Sequence, residues 1–246
     1  MTEVDLVLAI LIFAAATLYS SVGHAGASGY LAAMALFGLS PEVMRPTALS
    51  LNILVALLAT YRYSRAGQND WRLLWPFAVA SVPAAFLGGA VSVPPIFYKP
   101  LIGAVLAISA VQFLRTAQSP RNGEVSDPPH VAVALVSGAG IGLLSGLTGT
   151  GGGIFLSPLI LFMRWADTRR ASGVAAVFIL LNSVSGLLGT SVSIGTLPSA
   201  LPLWMGAALA GGLVGTQLGT RYLPIPGLRY ALAAVLFIAA FKMIAL

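Results

Sequence analysis

Two short segments of this chain concentrate the residues whose types and spacing could bind a ligand. Residues 144–153 read LSGLTGTGGG, and residues 20–29 read SSVGHAGASG. Both segments combine glycines with hydroxyl side chains inside apolar sequence, and the first adds the imidazole of His24. Neither contains a carboxylate, which disfavours a cation site. Exposed backbone amides and hydroxyls are hydrogen-bond donors, so the two segments favour an anion.

Glycine runs of this density are costly within a helix, at about 1 kcal/mol per residue relative to alanine. Glycine also lets a ligand approach the backbone closely. We therefore interpret the two segments as breaks in membrane helices, which mark binding sites in transporters. Close helix packing is the alternative explanation, and it is the one we favour for residues 88–89 and 211–212, which lie within apolar runs.

The candidate substrate-binding set comprises glycines, hydroxyls, amides and one imidazole in and near the two breaks. Its members are Ser21, Gly23, His24, Gly26, Ser28, Thr47, Asn52, Thr148, Thr150, Gly151, Gly152, Ser172 and Asn182. Uncharged polar residues inside apolar spans, such as Asn52 and Asn182, either line a path or join helices, and both interpretations stay open. We assign no catalytic residue, no metal ligand and no cofactor.

His24 is the one histidine within the hydrophobic body of the chain. The unperturbed imidazole pKa of about 6.5 suits a proton carrier or a second donor to an anion. A purely structural hydrogen bond is the alternative. The second break has no histidine at the matching position, so His24 would be an asymmetric component.

Arg45 and Arg170 open the long apolar spans that follow the breaks. Each is either an interfacial anchor or a gating or vestibule charge that attracts anions. An arginine at the bilayer centre would cost at least about 2.5–3.5 kcal/mol. We therefore place both near the membrane interfaces and favour anchoring.

The amino-acid composition of the chain indicates what kind of structure must position the candidate binding residues. Of the 246 residues, 58% are hydrophobic and only 8% are charged, against about 25% charged residues in soluble domains. Apolar runs of about 20 residues recur along the chain, long enough to cross a bilayer. The chain is therefore predicted to be an all-α polytopic membrane protein. Its net charge of +6 lies at the ends of apolar runs, so we expect no nucleic-acid partner.

The second half repeats the layout of the first. At an offset of 125 residues, Glu42 meets Asp167, Arg45 meets Arg170 and Thr47 meets Ser172. We predict two inverted repeats, each a glycine-broken helical hairpin plus three transmembrane helices, giving eight to ten helical segments. The repeats are residues 1–115 and 131–246, joined by the polar linker 116–130.

The basic residues predict the orientation. With the linker in the cytoplasm, ten of the thirteen Lys and Arg residues face inside, as the positive-inside rule requires. Arg45, Lys99 and Lys242 are then left on the outer face. We expect a multi-pass protein of the bacterial plasma membrane with its N-terminus outside.

The glycine break, the short helix after it and the acid–arginine–hydroxyl step resemble the TauE/SafE family of sulfite and organosulfonate exporters. Residues 149–153 through Arg170-Ala171-Ser172 match the family pattern closely, whereas Gly26-Ala27-Ser28-Gly29 carries fewer glycines than usual. The resemblance covers nearly the whole chain. It implies transport of sulfite, sulfoacetate or a related sulfur oxyanion, generally outward across the plasma membrane.

We therefore expect a secondary transporter that holds a small anion between the two breaks. Its partners would be that anion, the lipid bilayer, a proton or other coupling ion, and possible further copies in a homo-oligomer. A transporter or channel for another small anion or carboxylate, and a non-transporting scaffold subunit, are the alternatives. An enzyme is disfavoured because the spans contain no paired nucleophile and base.

Overall fold

The computed structural model describes residues 2–21, 23–117, 126–190, 197–221 and 226–245, which form ten α-helices and no strand. The first five helices are α1 (Glu3–Ser20), α2 (Ala27–Leu36), α3 (Pro41–Arg65), α4 (Trp71–Ala90) and α5 (Pro95–Ala117). The second five are α6 (Val131–Thr148), α7 (Gly153–Phe162), α8 (Thr168–Gly189), α9 (Leu201–Arg221) and α10 (Pro226–Ala245). Within the described ranges, six helices (α1, α3, α4, α6, α8 and α9) are long and apolar enough to cross a membrane. The predicted all-α polytopic fold is confirmed.

Local capping sets where several helices begin. The apolar pattern predicts that the first helix starts at Leu6, but α1 starts at Glu3 because Thr2 and Asp5 form a capping box. Asp70 accepts from the amide of Leu73 at the start of α4, and Asp167 accepts from two amides at the start of α8. These caps satisfy donors that a helix start would otherwise leave unpaired.

The order of helix lengths occurs twice along the chain. Helices of 18, 10, 25, 20 and 23 residues are followed by helices of 18, 10, 22, 21 and 20 residues. Packing follows the same order, because α4 lies along α6 as α9 lies along α1, while α3 packs on α8 and α5 on α10. Two copies related by a twofold axis would pack in this way. The inverted orientation and the boundaries 1–115 and 131–246 stay predictions, and residues 118–125 of the linker lie outside the described part of the chain.

Glycines allow α4 and α6 to approach at backbone contact. A Cβ atom at Gly138, Gly142 or Gly146 of α6 would collide with the carbonyls of Phe77, Ser81 and Ala85, respectively. Gly88 and Gly89 likewise face the carbonyls of Leu143 and Gly186. The packing role predicted for residues 88–89 is therefore confirmed, and the same holds for Gly211, which faces the carbonyl of Phe13.

Candidate functional site

Each glycine break separates two helices. In the first, α1 ends at Ser20 and α2 begins after Gly26, whose φ of 106° is in the left-handed region. In the second, α6 ends at Thr148, Gly149 has a φ of 82°, and α7 begins after Gly152 with a φ of 79°. Side chains rarely adopt such φ values, so the glycines are required for the turn itself.

Each break leaves five consecutive backbone amides without a hydrogen-bond acceptor. Within the described ranges, none of the N–H groups of residues 25–29 or 150–154 donates to a backbone or side-chain acceptor. All ten of these residues are buried. Buried unpaired amides are rare in proteins, and each costs about 1–3 kcal/mol unless a ligand or water accepts from it. The two sets lie at the N-termini of α2 and α7, where the helix dipole also favours negative charge.

The two breaks meet through His24. Its Nε2 atom lies 3.1 Å from the carbonyl oxygen of Gly153, at the first residue of α7. A carbonyl oxygen only accepts, so Nε2 carries the proton and donates.

Each break also packs against the long helix of the other half of the chain. A Cβ atom at Gly23 would lie 2.6 Å from the Cα atom of Ser172 on α8. A Cβ atom at Gly149 would lie 3.1 Å from the carbonyl oxygen of Arg45 on α3. The residues that the offset of 125 aligned, Arg45 with Arg170 and Thr47 with Ser172, thus belong to the helices that hold the opposite breaks.

Asn52 on α3 holds the second break from the side. Its Nδ2 atom lies 3.4 Å from the carbonyl oxygen of Thr150 and 3.4 Å from Oγ of Ser183, and it would lie 2.7 Å from a Cβ atom at Gly151. The opposite amide orientation would set two acceptor oxygens against each other. Oδ1 of Asn52 is buried, and it has no hydrogen-bond partner within the described residues. A hydrogen-bond acceptor without a donor therefore lies beside the second break.

Most predicted hydroxyls donate their proton to the protein. Thr148 donates to Leu144 at 2.6 Å, so Thr150 donates to Thr148 across 2.9 Å. Ser28 donates to the Tyr19 hydroxyl at 2.6 Å, and Ser21 donates to the Leu18 carbonyl at 2.7 Å. The unpaired donors of the breaks are therefore chiefly backbone amides.

Three other predicted side chains lie on the long helices α3 and α8. Ser172 donates to the Thr168 carbonyl at 2.9 Å. Thr47 is fully buried, and its hydroxyl has no partner in the described ranges. Asn182 donates to Phe178 at 2.8 Å and to the Ser81 hydroxyl of α4 at 3.1 Å. Asn182 thus joins two helices, which is one of its two predicted roles.

Arg45 caps the end of a neighbouring helix, and its predicted position near a membrane interface stays a prediction. It is buried, with 8% of its surface exposed, and its guanidinium donates to the carbonyls of Gly88 at 2.8 Å, of Val91 at 2.9 Å and of Gly89. These carbonyls lie in and just after the last turn of α4, where a helix has unpaired acceptors and a negative dipole end. This capping offsets the cost of burying the charge. Arg170 is exposed and lies 3.6 Å from Asp167.

The comparisons with known proteins agree with this architecture. A family model described as "Sulfite exporter TauE/SafE" matches residues 8–243. The chain belongs to the TauE/SafE family. No solved structure shows significant similarity to it.

Two curated relatives span nearly the whole TauE/SafE chain. One, named "Probable membrane transporter protein y4hK", from Sinorhizobium fredii, is 43% identical over 96% of this chain and 97% of its own. Another, named "Probable membrane transporter protein YjnA", from Bacillus subtilis, is 24% identical over 90% of this chain and 92% of its own. The family and these names indicate a membrane transporter rather than an enzyme.

Some residues at the breaks of this TauE/SafE protein were not among the predicted site residues. Tyr98 of α5 donates to the Thr148 carbonyl at 3.1 Å. Ser145 is fully buried, and its hydroxyl has no partner in the described ranges. A Cβ atom added at Gly152 would lie 3.4 Å from the Cβ atom of Ser145. Ser145 could have been included because it lies inside the glycine segment. Tyr98 carries no such signal, because its contact joins distant parts of the sequence.

Proposed function

We propose that the protein is a secondary transporter that moves a small sulfur oxyanion, sulfite or an organosulfonate such as sulfoacetate, outward across the plasma membrane. The anion binds between the two glycine breaks. The observation that carries this proposal is the pair of amide sets, residues 25–29 and 150–154, which are buried and have no acceptor within the described residues, in two breaks linked by the hydrogen bond from His24 to Gly153.

The chemistry of the breaks supports an anion of modest charge. Amides, hydroxyls and helix dipoles supply partial positive charge. The nearest guanidinium, that of Arg45, donates to the end of α4. In the described part of the chain, no carboxylate or ammonium group forms a hydrogen bond with either break. A site without a full positive charge binds an anion weakly enough to release it, as transport requires.

The arrangement of oxygen atoms in a sulfite or sulfonate group suits the donors of the breaks, and the family description supports a sulfur-containing substrate. The three oxygens of a sulfite or sulfonate group point in different directions, so they can accept hydrogen bonds from more than one amide set. Oδ1 of Asn52 would accept a hydrogen bond from a protonated ligand or from a water molecule beside it. The description of the matched family names sulfite export.

Alternating access would follow from the relation between the two breaks. Each break packs on the long helix of the opposite half, at Ser172 and at Arg45. A rocking motion of one half against the other would therefore open the site to one face and close it to the other. Proton coupling is assigned to the imidazole of His24, the one histidine within the hydrophobic body of the chain.

Flux measurements in proteoliposomes test the proposal. Purified protein should show saturable sulfite and sulfoacetate movement. Gly151→Ala should abolish it, because the new Cβ atom would lie 2.7 Å from Nδ2 of Asn52 at a φ of 73°. Gly140→Ala is the matched control, because a Cβ atom there meets nothing within 4 Å.

Each alternative predicts a different result. Unsaturable flux would indicate a channel. Preferential movement of a carboxylate would show that the substrate is a carboxylate rather than a sulfur oxyanion. Absence of anion movement in folded wild-type protein, or full activity of Gly151→Ala, would contradict the proposed site.

A further inference from the structure

A second cleft, separate from the breaks, lies where α2 ends, α5 begins and α10 ends. It has a volume of about 110 Å³ and is lined by the end of α2 with its following turn, by Met243 and by the side chains of Lys99 and Lys242. These are the two lysines of the chain. We propose that this cleft binds the headgroup phosphate of an anionic phospholipid.

The charges of the cleft suit one phosphodiester. Lys242 donates through Nζ to the Leu36 carbonyl at 2.7 Å, which fixes the ammonium group at the end of α2. An ammonium group has three donors, so Lys242 retains donors for a ligand. Glu42, the residue after the cleft-lining Pro41, is exposed. Two ammonium groups line this cleft, and their positive charge attracts the single negative charge of a phosphodiester.

The position of the lysines along their helices corresponds to the headgroup level. Lys99 is the fifth residue of α5, and Lys242 is in the last turn of α10. Basic residues at the ends of membrane helices lie at the membrane interface. Basic pockets between membrane helices bind phospholipid headgroups on the cytoplasmic side, and the same charge attraction applies on the outer face, where these two lysines are predicted to lie.

The surroundings of the cleft favour a lipid over a free small anion. Ile96 and Phe97, just before Lys99, are 74% and 67% exposed. Phe241 and Ile244, on either side of Lys242, are 74% and 58% exposed. These apolar surfaces flank both cations and suit acyl chains, whereas a free anion would gain nothing from them.

The same turn of α5 connects the cleft to the second break. Tyr98, between Phe97 and Lys99, is buried and donates to the Thr148 carbonyl at 3.1 Å. A phosphate bound by both lysines would hold the ends of α2, α5 and α10 together. The lipid would thereby stabilise two of the helices that position the breaks.

Native mass spectrometry of the full chain in detergent tests the proposal, with phosphatidylglycerol, phosphatidylcholine and inorganic phosphate as probes. Wild-type protein should bind phosphatidylglycerol more tightly than phosphatidylcholine. Lys99→Gln combined with Lys242→Gln should weaken phosphatidylglycerol binding by about tenfold or more. Lys99→Arg combined with Lys242→Arg should retain it. Arg72→Gln combined with Arg169→Gln is the matched control, because it removes the same charge from exposed positions outside the cleft.

Two results would overturn the proposal. One is wild-type affinity for phosphatidylglycerol in the double glutamine variant. The other is displacement of phosphatidylglycerol by an equal concentration of inorganic phosphate, which would identify a site for free anions. If the double variant does not fold, Lys99→Gln and Lys242→Gln are measured separately. Unchanged affinity for phosphatidylglycerol in both single variants would likewise overturn the proposal.

Discussion

The imidazole of His24 donates from Nε2 to the carbonyl of Gly153, a residue 129 positions further along the chain, at 3.1 Å. This hydrogen bond joins the turn before α2 to the first residue of α7.

Replacing His24 should separate the structural role of the imidazole from proton carriage. His24→Gln keeps an N–H donor for the Gly153 carbonyl but has no group that titrates near neutral pH. We expect it to retain sulfite flux while losing the accompanying proton movement, measured with a pH-sensitive dye inside proteoliposomes. Proton movement at the wild-type ratio in this variant would show that His24 is only structural.

The two fully buried asparagines should respond differently to the same substitution. Asn52→Leu removes the hydrogen bond to the Thr150 carbonyl, so we expect sulfite affinity to fall by about tenfold, corresponding to about 1.4 kcal/mol. Asn182→Leu removes hydrogen bonds to Phe178 and Ser81 and should lower thermal stability without changing affinity. Calorimetric titration and thermal unfolding of both variants check this. Equal affinity losses would place Asn182 in the binding site as well.

Arg45 should contribute mainly to stability. Arg45→Gln leaves several carbonyls near the end of α4 without their charged donor, at about 1.5–3 kcal/mol for each hydrogen bond to a charged group. We expect a clearly lower melting temperature and unchanged sulfite affinity. Arg170→Gln, which removes an exposed ion pair worth about 0–1 kcal/mol, is the control. A large loss of affinity at normal stability would instead make Arg45 a vestibule charge.

Packing of α6 on α4 should tolerate no side chain at Gly142. A Cβ atom there would lie 2.6 Å from the Cα atom of Ser81, so Gly142→Ala should destabilise the fold by about 1–3 kcal/mol. Gly140→Ala, two positions away with open space around it, should be neutral or stabilising because alanine favours helix. Thermal unfolding in detergent compares the two. Equal melting temperatures would contradict the close contact of α4 with α6.

Much of the fold was predictable from local pattern. Glycine runs within apolar sequence marked both breaks, and the helices after them begin at Ala27 and Gly153, close to Tyr30 and Ile154, where the apolar pattern predicts them. Apolar length identified the long spans. The first helix begins at Glu3 rather than at Leu6, because the cap formed by Thr2 with Asp5 lies outside the apolar run.

Contacts between distant residues were not predictable. The cost of inserting an isolated arginine into a bilayer predicts an interfacial position for Arg45, but it does not reveal that the guanidinium caps carbonyls 43 to 46 residues away at the end of α4. The hydrogen bond from His24 to Gly153 likewise depends on how the two halves pack. The sequence identifies which residues can donate or accept, whereas the partner of each depends on tertiary structure.

The absence of a hydrogen-bonded full charge from the described parts of the two breaks has an energetic consequence. An anion bound by amides, hydroxyls and a neutral His24, with no coupled proton, would cross the bilayer with its own charge uncompensated. At a membrane voltage of about 100 mV, negative inside, each such charge gains about 2.3 kcal/mol on leaving the cell. The resting voltage alone would then drive the outward direction of transport.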